Sequence, residues 1–380
     1  SGEFRQTRYG ESFVVEQRFP LNIPHGRTSM RPALLPEILG IWAKDARINE
    51  LPAEKFIFFD TETSGLSGGT GTYAFMVGAG RFDGDDFLLA QFFLRDPSEE
   101  PAMLEAMAEF FAPAEVLVSY NGKSFDAPLL QTRYKLHGMP IPFEGYAHLD
   151  LLHLARRLWR DRLASRTLQS IEAHILGVTR TSEEVPGYEI PYLYFDYLRD
   201  RDATEMKGVF YHNEIDILSL AALLNHAATM LADPFGESVQ HGLDVIAIAK
   251  LFEDVKEWDE AAKLYEYGLK SPSTGSGQAL PEEDFAKAIK RLAVLQRRRG
   301  DVEEALKWWQ QAAKDGHIYA YVELAKYYEH KAKDHALAEN LTLQAFALVN
   351  DGKLQAYERD HWHEELSHRL ERIQRKIGNS

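Results

Sequence analysis

The sequence predicts an α/β domain, a mixed sheet flanked by helices, followed by an all-α region. Short apolar runs typical of buried strands occupy residues 56–94, and helical periodicity with one further strand continues to residue 231. Strand patterns stop after Asp233-Pro234. The expected segments are an N-terminal extension at 1–50, an α/β domain at 51–235 and a helical domain at 236–380.

The composition excludes several classes of protein. The 380 residues are 45% hydrophobic and 27% charged, which is enough apolar material for more than one core. Because cysteine is absent, disulfides, thiolate zinc sites and cysteine nucleophiles are excluded. No run of about 18 apolar residues occurs, so we expect no membrane partner. With no basic, apolar leader at the start, we expect a cytoplasmic protein.

The net charge of −15 bears on the kind of partner. Proteins that coat nucleic acid rely on Lys and Arg to contact phosphates, so a strongly acidic chain is a poor candidate for that role. An enzyme that holds only a strand end needs a local basic patch. The charge therefore favours local over extended contact with nucleic acid.

Three strand patterns support the sheet. Phe56–Phe59 is wholly apolar, as expected for a strand buried on both faces. A glycine-rich turn at 64–72 separates it from a second apolar run at 73–77, and the run at 87–94 completes a meander. Other predicted strands lie at 12–16 and 116–120, and other predicted helices at 32–44, 101–111, 127–136, 148–159, 167–176 and 206–231.

The region after residue 235 contains a weak internal repeat. Segments 257–269, 300–313 and 333–346 share an alanine at equivalent places, and the 33 positions from Ala305 to Ala338 approach the tetratricopeptide period of 34. A polar insertion at 271–281 accounts for the longer first interval, and a charged helix at 354–376 follows. Two interpretations stay open: a surface for a protein partner, or an appendage that stabilises the α/β domain.

Asp60 and Glu62 follow the first buried strand. With one residue between them, the two side chains project to the same side of the strand end. Carboxylates this close repel each other unless a cation lies between them, and hard divalent ions prefer oxygen ligands. A lone Asp-x-Glu pair also occurs in ordinary turns, so further acids are needed for a metal site.

Two further acids complete the set. Asp126 follows a predicted strand and an Asn-Gly turn, where the alternative role is a helix N-cap. Asp216 lies beside the apolar stripe of the long helix at 206–231, where an unpaired charge is costly. Its alternative role is a partly exposed helical acid.

The segments DTETSGL (60–66), YNGKSFDAPLL (120–130) and YHNEIDILSL (211–220) together resemble the three exonuclease motifs of the DEDD superfamily, in order. The chain most resembles YprB-like ribonuclease H-like domains, which can carry tetratricopeptide repeats downstream. The resemblance implies a ribonuclease H-like mixed sheet flanked by helices, then a helical-repeat domain. It covers residues 10–235 and, more loosely, 240–350.

The resemblance also implies a 3′→5′ exonuclease with two Mg²⁺ or Mn²⁺ ions. Asp60 would bridge both ions, Glu62 and Asp216 would hold the ion that activates water, and Asp126 would serve the second ion. Two cations stabilise the attacking and leaving oxygens of a phosphodiester displacement. The expected partner is nucleic acid, single-stranded and with a 3′ end, with DNA ahead of RNA.

The expected general base departs from the family pattern. One DEDD branch places His five residues before the last Asp and the other places Tyr four before it, whereas this chain has Tyr211 at five and His212 at four. Residues four apart share a helix face, and an imidazole pKa suits a base at neutral pH better than a phenol. We therefore expect His212 to act as the base, with Tyr211 as the alternative.

Several residues around these motifs are candidate substrate contacts. Those near the carboxylates and the base are Thr63, Asn121, Lys123, Ser124, Phe125 and Tyr211. For Phe125 we expect packing in the core, with stacking on a terminal base as the alternative. Arg156 and Arg160 lie on the most basic helix of the chain, where the alternative is a solvated face with salt bridges. Asp150 resembles an extra acid of the superfamily.

Two other functions compete with the exonuclease. The first is a catalytically silent scaffold that binds nucleic acid and, through its repeats, a protein partner. The complete set of four acids favours the enzyme, because degenerate binding copies usually lose one. The second is a ribonuclease H-like endonuclease, which the exonuclease motifs disfavour. No residue pattern separates DNA from RNA by its 2′-hydroxyl.

Overall fold

The computed structural model describes residues 2–65, 71–239, 241–270, 282–351 and 354–378. Residues 66–70 of the predicted glycine-rich turn and the whole predicted insertion at 271–281 lie outside the described residues. The chain divides into two compact units, Ser1–Ser238 and Val239–Ser380. The division into three functional segments remains a prediction.

The first unit is built on a mixed sheet. The strands in chain order are β1 (Glu3–Thr7), β2 (Gly10–Pro20), β3 (Pro24–His25), β4 (Thr28–Ser29), β5 (Phe56–Thr63), β6 (Ala74–Asp83), β7 (Asp86–Phe93), β8 (Val116–Ser119) and β9 (Ala147–Asp150). Seven of them form one sheet in the order β1-β2-β7-β6-β5-β8-β9, and β3 pairs with β4. The predicted meander β5-β6-β7 is antiparallel, while β8 is parallel to both β5 and β9.

Helices flank this sheet, which confirms the predicted α/β class. They are α1 (Glu37–Ala43), α2 (Arg47–Glu50), α3 (Glu100–Phe111), α4 (Asp126–Leu136), α5 (Leu151–Trp159), α6 (Leu168–Ile171), α7 (Ile190–Asp200) and α8 (Met206–Ala232). A π-helical turn at Glu172–Leu176 continues α6. By length and composition α8 resembles a membrane-spanning helix, but most of it is buried, as in the core helix of a folded domain.

The apolar run Phe56–Phe59 is buried on both faces of the sheet, as its composition predicts. Phe59 packs edge-on against Phe111 of α3, with ring centroids 6.2 Å apart. Its neighbour Phe58 points to the opposite face, where its ring lies 5.6 Å from that of Phe87. This alternation follows from the pleat of a strand and places helices on both sides of β5.

Two predicted helices begin later than expected. The helix predicted at 32–44 begins only at Glu37, because Pro36 is extended (φ −69°, ψ 147°) and the residue before a proline is kept out of the helical region. The helix predicted at 148–159 begins at Leu151, because residues 147–150 form β9 and Asp150 caps the helix. Strand β1 and helix α7 were not predicted.

The second unit consists of helices in its described residues. They are α9 (Gly242–Asp254), α10 (Trp258–Lys270), α11 (Glu282–Arg299), α12 (Val302–Lys314), α13 (Ile318–Tyr327), α14 (His335–Val349) and α15 (Ala356–Gly378), with a π-helical turn at Tyr328–Ala332 after α13. The predicted helical region and its charged last helix are therefore confirmed. The repeated alanines Ala261, Ala305 and Ala338 are all buried. The tetratricopeptide assignment remains a prediction.

Candidate active site

The first two acids lie on β5 itself. The strand extends to Thr63, so Asp60 and Glu62 are strand residues and do not follow the strand as expected. Both are partly buried. One carboxylate oxygen of Glu62, Oε1, is buried and has no hydrogen-bond partner among the described residues. An acceptor of this kind is costly unless a donor or a cation reaches it.

Asp126 reaches the same place from the loop after β8. It is the first residue of α4 and not its N-cap, because Phe125 occupies the cap position. Thr61 of β5 donates a hydrogen bond to Asp126 Oδ1. Gly122 is required here, since a Cβ at that position would lie 2.9 Å from Asp126 Oδ2 and 2.7 Å from Ser119.

Asp150 holds this loop in place. Its carboxylate accepts the backbone N–H groups of Asn121 (2.8 Å), Lys123 (3.2 Å) and Leu152 (3.0 Å). Asn121 adopts a left-handed conformation, with φ 66°. The structure therefore gives Asp150, the extra acid of the sequence, a role in supporting the loop that leads to Asp126.

Helix α8 brings the remaining residues to β5. Asn213 is fully buried and places its Nδ2 3.5 Å from Asp60 Oδ2, while its Oδ1 accepts from Gln91 at 3.2 Å. A side chain at Gly78 would collide with Asn213, because its Cβ would lie 2.0 Å from Asn213 Oδ1. Gly78 thus allows α8 to approach the sheet closely enough to bring His212 and Asp216 to the site.

Burial and neighbouring negative charges oppose the ionisation of the carboxylates at this site. Burial raises the pKa of Asp60 well above its usual range, and the charges of the other three acids raise it further. Burial also raises the pKa of Glu62 to about 7 and that of Asp126 to about 6. The pKa of Asp216 is raised by burial as well. Raised carboxylate pKa values on three different elements mark a place where a cation would be stabilised.

An arginine that sequence reasoning missed is part of this cluster. Arg180 forms a bidentate pair with Glu172, with both N–O distances 2.7 Å, and also donates to Asp216 Oδ1 and, at 2.8 Å, to Glu184 Oε1. Its side chain is 7% exposed. Arg180 lies in a polar loop with no periodicity or motif, so the sequence carries no signal for it.

The two candidate bases have different surroundings. His212 places Nδ1 2.8 Å from Glu184 Oε1 and Nε2 3.5 Å from Asp216 Oδ2. Burial opposes its protonation, but the charges of Asp216, Glu62 and Glu184 outweigh burial and raise its pKa. The hydroxyl of Tyr211 instead accepts the backbone N–H of Thr181 at 2.8 Å. Of the two, His212 is the one that faces the carboxylates.

The predicted substrate contacts near Asp126 differ in exposure. Phe125 is 61% exposed, so the expectation that it packs in the core is wrong. Ser124 is exposed, and the Lys123 ammonium donates to the backbone carbonyl of His148 at 3.1 Å. Thr63 donates to Gly65 O at 3.1 Å. Their role as substrate contacts remains a prediction.

Two arginines of the predicted basic helix are exposed. One face of α5 is buried through Leu154 and Leu158, while Arg156 and Arg160 are exposed. Arg156 is close enough to affect the phenol of Tyr120, which begins the loop before Asp126. Arg160 forms a long pair with Asp161 at 3.4 Å. Arg156 is therefore the better placed of the two for a substrate bound near Asp126.

The carboxylate oxygens of the site are suitable ligands for a hard divalent ion, but they do not surround a single position. Carboxylate oxygens are the ligands that Mg²⁺ and Mn²⁺ prefer, and Glu62 Oε1 accepts no hydrogen bond from the part of the chain that the structure describes. In the described ranges, no three acidic or histidine side chains converge closely enough to hold one ion as they stand. An ion at Asp216 would have to compete with Arg180.

Comparisons with known proteins identify the family of the chain. Residues 57–228 match the model of a family described as RNase_H superfamily. The protein YprB of Bacillus subtilis (strain 168) is 32% identical over 346 residues, which cover 88% of this chain and 80% of YprB. The family B DNA polymerase from the hyperthermophilic archaeon Pyrobaculum calidifontis superposes with a TM-score of 0.36 at 18% identity, over 57% of this chain and 29% of the polymerase, too loosely to support a functional conclusion. The chain belongs to the family of Bacillus subtilis YprB, and its residues 57–228 form an RNase_H-superfamily domain.

Proposed function

We propose that the protein is a DEDD-type nuclease that depends on Mg²⁺ or Mn²⁺ and removes nucleotides from the 3′ end of single-stranded nucleic acid. The observation that carries this proposal is the cluster of Asp60, Glu62, Asp126 and Asp216. The four acids come from β5, α4 and α8, and burial together with the charges of the neighbouring acids raises the pKa values of Asp60 and Glu62. Elements far apart in sequence thus place like charges together at one end of β5.

Two divalent ions would offset that charge and supply Lewis-acid stabilisation of the attacking and leaving oxygens of a phosphodiester. Asp60, Glu62 and Asp216 are the residues that would hold the ion nearer the base. Asp126 would hold the other, and its hydrogen bond from Thr61 fixes one of its oxygens. The protein's own contribution is to position these carboxylates through contacts such as the one between Thr61 and Asp126.

His212 is the residue we assign as general base. Its imidazole faces both Asp216 and Glu184, and the carboxylates around it stabilise its protonated form. A ring in that position can take the proton of an attacking water and hold it while the phosphodiester bond breaks. Tyr211 is a poorer candidate because its hydroxyl is engaged with Thr181.

The direction of digestion and the kind of strand rest on separate observations. The 3′→5′ direction follows from the resemblance of the three motifs to DEDD exonucleases. A single strand is favoured because Phe125 is exposed directly beside Asp126, where a terminal base would stack on it. The acidic chain offers few phosphate contacts, which suits an enzyme that holds only a strand end.

The competing function is a silent scaffold that binds nucleic acid and a protein partner. One observation favours it: Arg180 forms an ion pair with Asp216, one of the four acids that a two-ion enzyme needs. A guanidinium in that place neutralises part of the charge that an ion would otherwise offset. The scaffold predicts binding of nucleic acid without cleavage.

Digestion of 5′-labelled DNA and RNA oligonucleotides, each single- and double-stranded, with Mg²⁺, Mn²⁺ or EDTA, tests the proposal. A metal-dependent ladder that shortens from the 3′ end of the single strand is expected. The Asp60→Asn variant should lower the rate by at least about 100-fold, because it removes the acid assigned to both ions. Asp196→Asn, which changes an exposed acid of α7, is the matched control and should leave the rate unchanged.

Three outcomes would contradict the proposal. Binding of an oligonucleotide without cleavage under any metal condition would support the scaffold. Internal cuts in a strand with blocked ends would indicate an endonuclease. Equal rates for Asp60→Asn and the wild type would show that the cleavage comes from another site or from a contaminant.

A further inference from the structure

The loop between the π-helical turn and α7 carries two side chains that reach the candidate base. Glu184 Oε1 lies 2.8 Å from His212 Nδ1, and the same oxygen accepts from Arg180 Nη1 at 2.8 Å. Arg180 is fixed in turn by Glu172, which is 1% exposed. The sequence motifs include neither Glu184 nor Arg180, so this loop contributes to the site without a recognisable pattern.

The contacts of His212 determine which ring nitrogen carries hydrogen when the ring is neutral. An ionised carboxylate only accepts, so the 2.8 Å contact with Glu184 requires hydrogen on Nδ1. The alternative is that Nδ1 accepts from Arg180 Nη1, which lies 3.3 Å away. That contact is longer, and the same Nη1 already has Glu184 as its acceptor, so the tautomer with hydrogen on Nδ1 is favoured.

We propose that Glu184 is a positioning residue that holds His212 with hydrogen on Nδ1 and leaves Nε2 free to take a proton, while Arg180 fixes Glu184 in that place. This inference rests on the proposed role of His212 as general base. Nε2 faces Asp216 Oδ2 at 3.5 Å, which is too long for a strong hydrogen bond. The lone pair of Nε2 is therefore directed towards the carboxylates, where the attacking water would be deprotonated.

A merely structural role for Glu184 would be to neutralise Arg180. That role requires the ion pair but places no requirement on the His212 ring. The two roles differ in what happens to the imidazole when Glu184 is changed. A loss of charge compensation would lower stability, whereas a loss of orientation would change the tautomer of His212 and the rate of the step that uses it.

The first test is the ¹⁵N NMR spectrum of histidine-labelled, metal-free full-length protein at a pH at which the ring is neutral. The His212 signals are assigned by their loss in His212→Ala. The wild type should show protonated Nδ1 and unprotonated Nε2. Glu184→Ala should lose this preference, whereas Glu184→Gln should keep it, because the amide oxygen still accepts from Nδ1. Glu183→Ala, an exposed acid next in sequence, is the matched control.

The second test is a double-mutant cycle on turnover of a single-stranded oligonucleotide. Glu184→Ala should lower kcat by about 10- to 100-fold with KM within about two-fold, and it should have no further effect in the His212→Ala background. Glu184→Gln should recover most of the loss. An equal loss in both backgrounds would overturn the inference, as would an unchanged His212 spectrum in Glu184→Ala. If the wild type digests nothing, the proposed function fails and the spectra alone decide this inference.

Discussion

At the scale of the residue, Asp150 shows how one side chain supports a loop. Its carboxylate accepts three backbone N–H groups, two from the loop that leads to Asp126 and one from the first turn of α5. Asn121 in that loop has a positive φ, which costs an L-residue about 1 kcal/mol or more. The carboxylate therefore stabilises a conformation that the chain would not otherwise adopt.

We expect Asp150→Ala to lower the free energy of unfolding by about 2 to 4 kcal/mol, because three donors lose their acceptor in a place where water has little access. Asp150→Asn keeps one acceptor oxygen and should lose less. Urea denaturation at pH 7 measures both. Asp196→Ala, which removes an exposed surface pair, should cost under about 0.5 kcal/mol. An equal loss in Asp150→Ala and Asp196→Ala would show that the loop does not depend on Asp150.

Individual residues of the candidate site could be predicted from the sequence where they belong to a local motif. Asp60, Glu62, Asp126 and Asp216 stand in three recognisable motifs, and the structure places them near one another. Arg180 could not be found this way. Its partner Asp216 lies 36 positions away, and only the folded chain brings the two together.

At the scale of the element, α5 packs against the domain with one face and exposes arginine on the other side. Its apolar face is buried, Arg156 is exposed on the other face, and the exposed Arg160 follows directly as the C-cap. Arginines on an exposed face that lies near the Asn121 loop are suited to phosphates of a bound strand. Contacts of this kind hold the substrate equally in the ground state and the transition state.

We therefore expect the double variant Arg156→Ala/Arg160→Ala to raise KM by about 10-fold and to leave kcat within about two-fold. The reason is that it would lose contacts made equally in the ground state and the transition state. Steady-state digestion of a single-stranded oligonucleotide measures both constants. Arg199→Ala on α7 removes a similarly exposed arginine and serves as the control. A fall in kcat with unchanged KM would show that these arginines act on the reaction and not on binding.

A second element-scale feature is the buried Glu329 in the π-helical turn after α13. It accepts from Arg372 at 2.7 Å through both oxygens and from Lys376 at 2.9 Å, which ties this turn to α15. Burial opposes its ionisation, but these hydrogen bonds outweigh burial and lower the pKa of Glu329 to about 2. Because the folded-state pKa is below the unfolded value of 4.5, the stabilisation is present above pH 4.5 and lost as pH falls through 2.

Glu329→Gln should lower the free energy of unfolding by about 3 kcal/mol at pH 7 and abolish that pH dependence. Tryptophan fluorescence during urea denaturation measures the unfolding of the second unit, because that unit contains Trp258, Trp308, Trp309 and Trp362. Glu371→Gln on α15 is the control, as that side chain is 69% exposed. If Glu329→Gln and Glu371→Gln behaved alike from pH 2 to 7, the buried network would not stabilise the helices.

Elements with strong periodicity or wholly apolar runs could be predicted, and short or irregular ones could not. The apolar run at 56–59 was sufficient to predict β5, and the apolar stripe at 206–231 was sufficient to predict α8. The four-residue strand β9 runs directly into α5, so its residues fit the helical pattern and the boundary was misplaced. Helix α7 buries Ile190, Tyr194 and Tyr197 at helical spacing, but the exposed aromatic residues Tyr192 and Phe195 obscure that stripe in the sequence.

At the scale of the whole molecule, the net charge of −15 affects the binding of both cations and phosphates. Four clustered acids in an acidic chain attract divalent cations and repel phosphates, so a bound cation would aid the approach of nucleic acid. The class of the fold and the existence of a helical second unit could be read from composition and periodicity. The ion pair between Arg180 and Asp216 could not, and it is the contact with which a metal would compete.

Calorimetric titration of the metal-free protein with Mn²⁺ tests most directly the central claim that the four acids bind divalent ions. The carboxylate cluster predicts saturable binding of two ions to the wild type, lost or strongly weakened in Asp60→Asn and unchanged in Asp196→Asn. An identical isotherm for Asp60→Asn, or no binding to the wild type, would contradict a metal site at these four acids and would leave the silent scaffold as the better account.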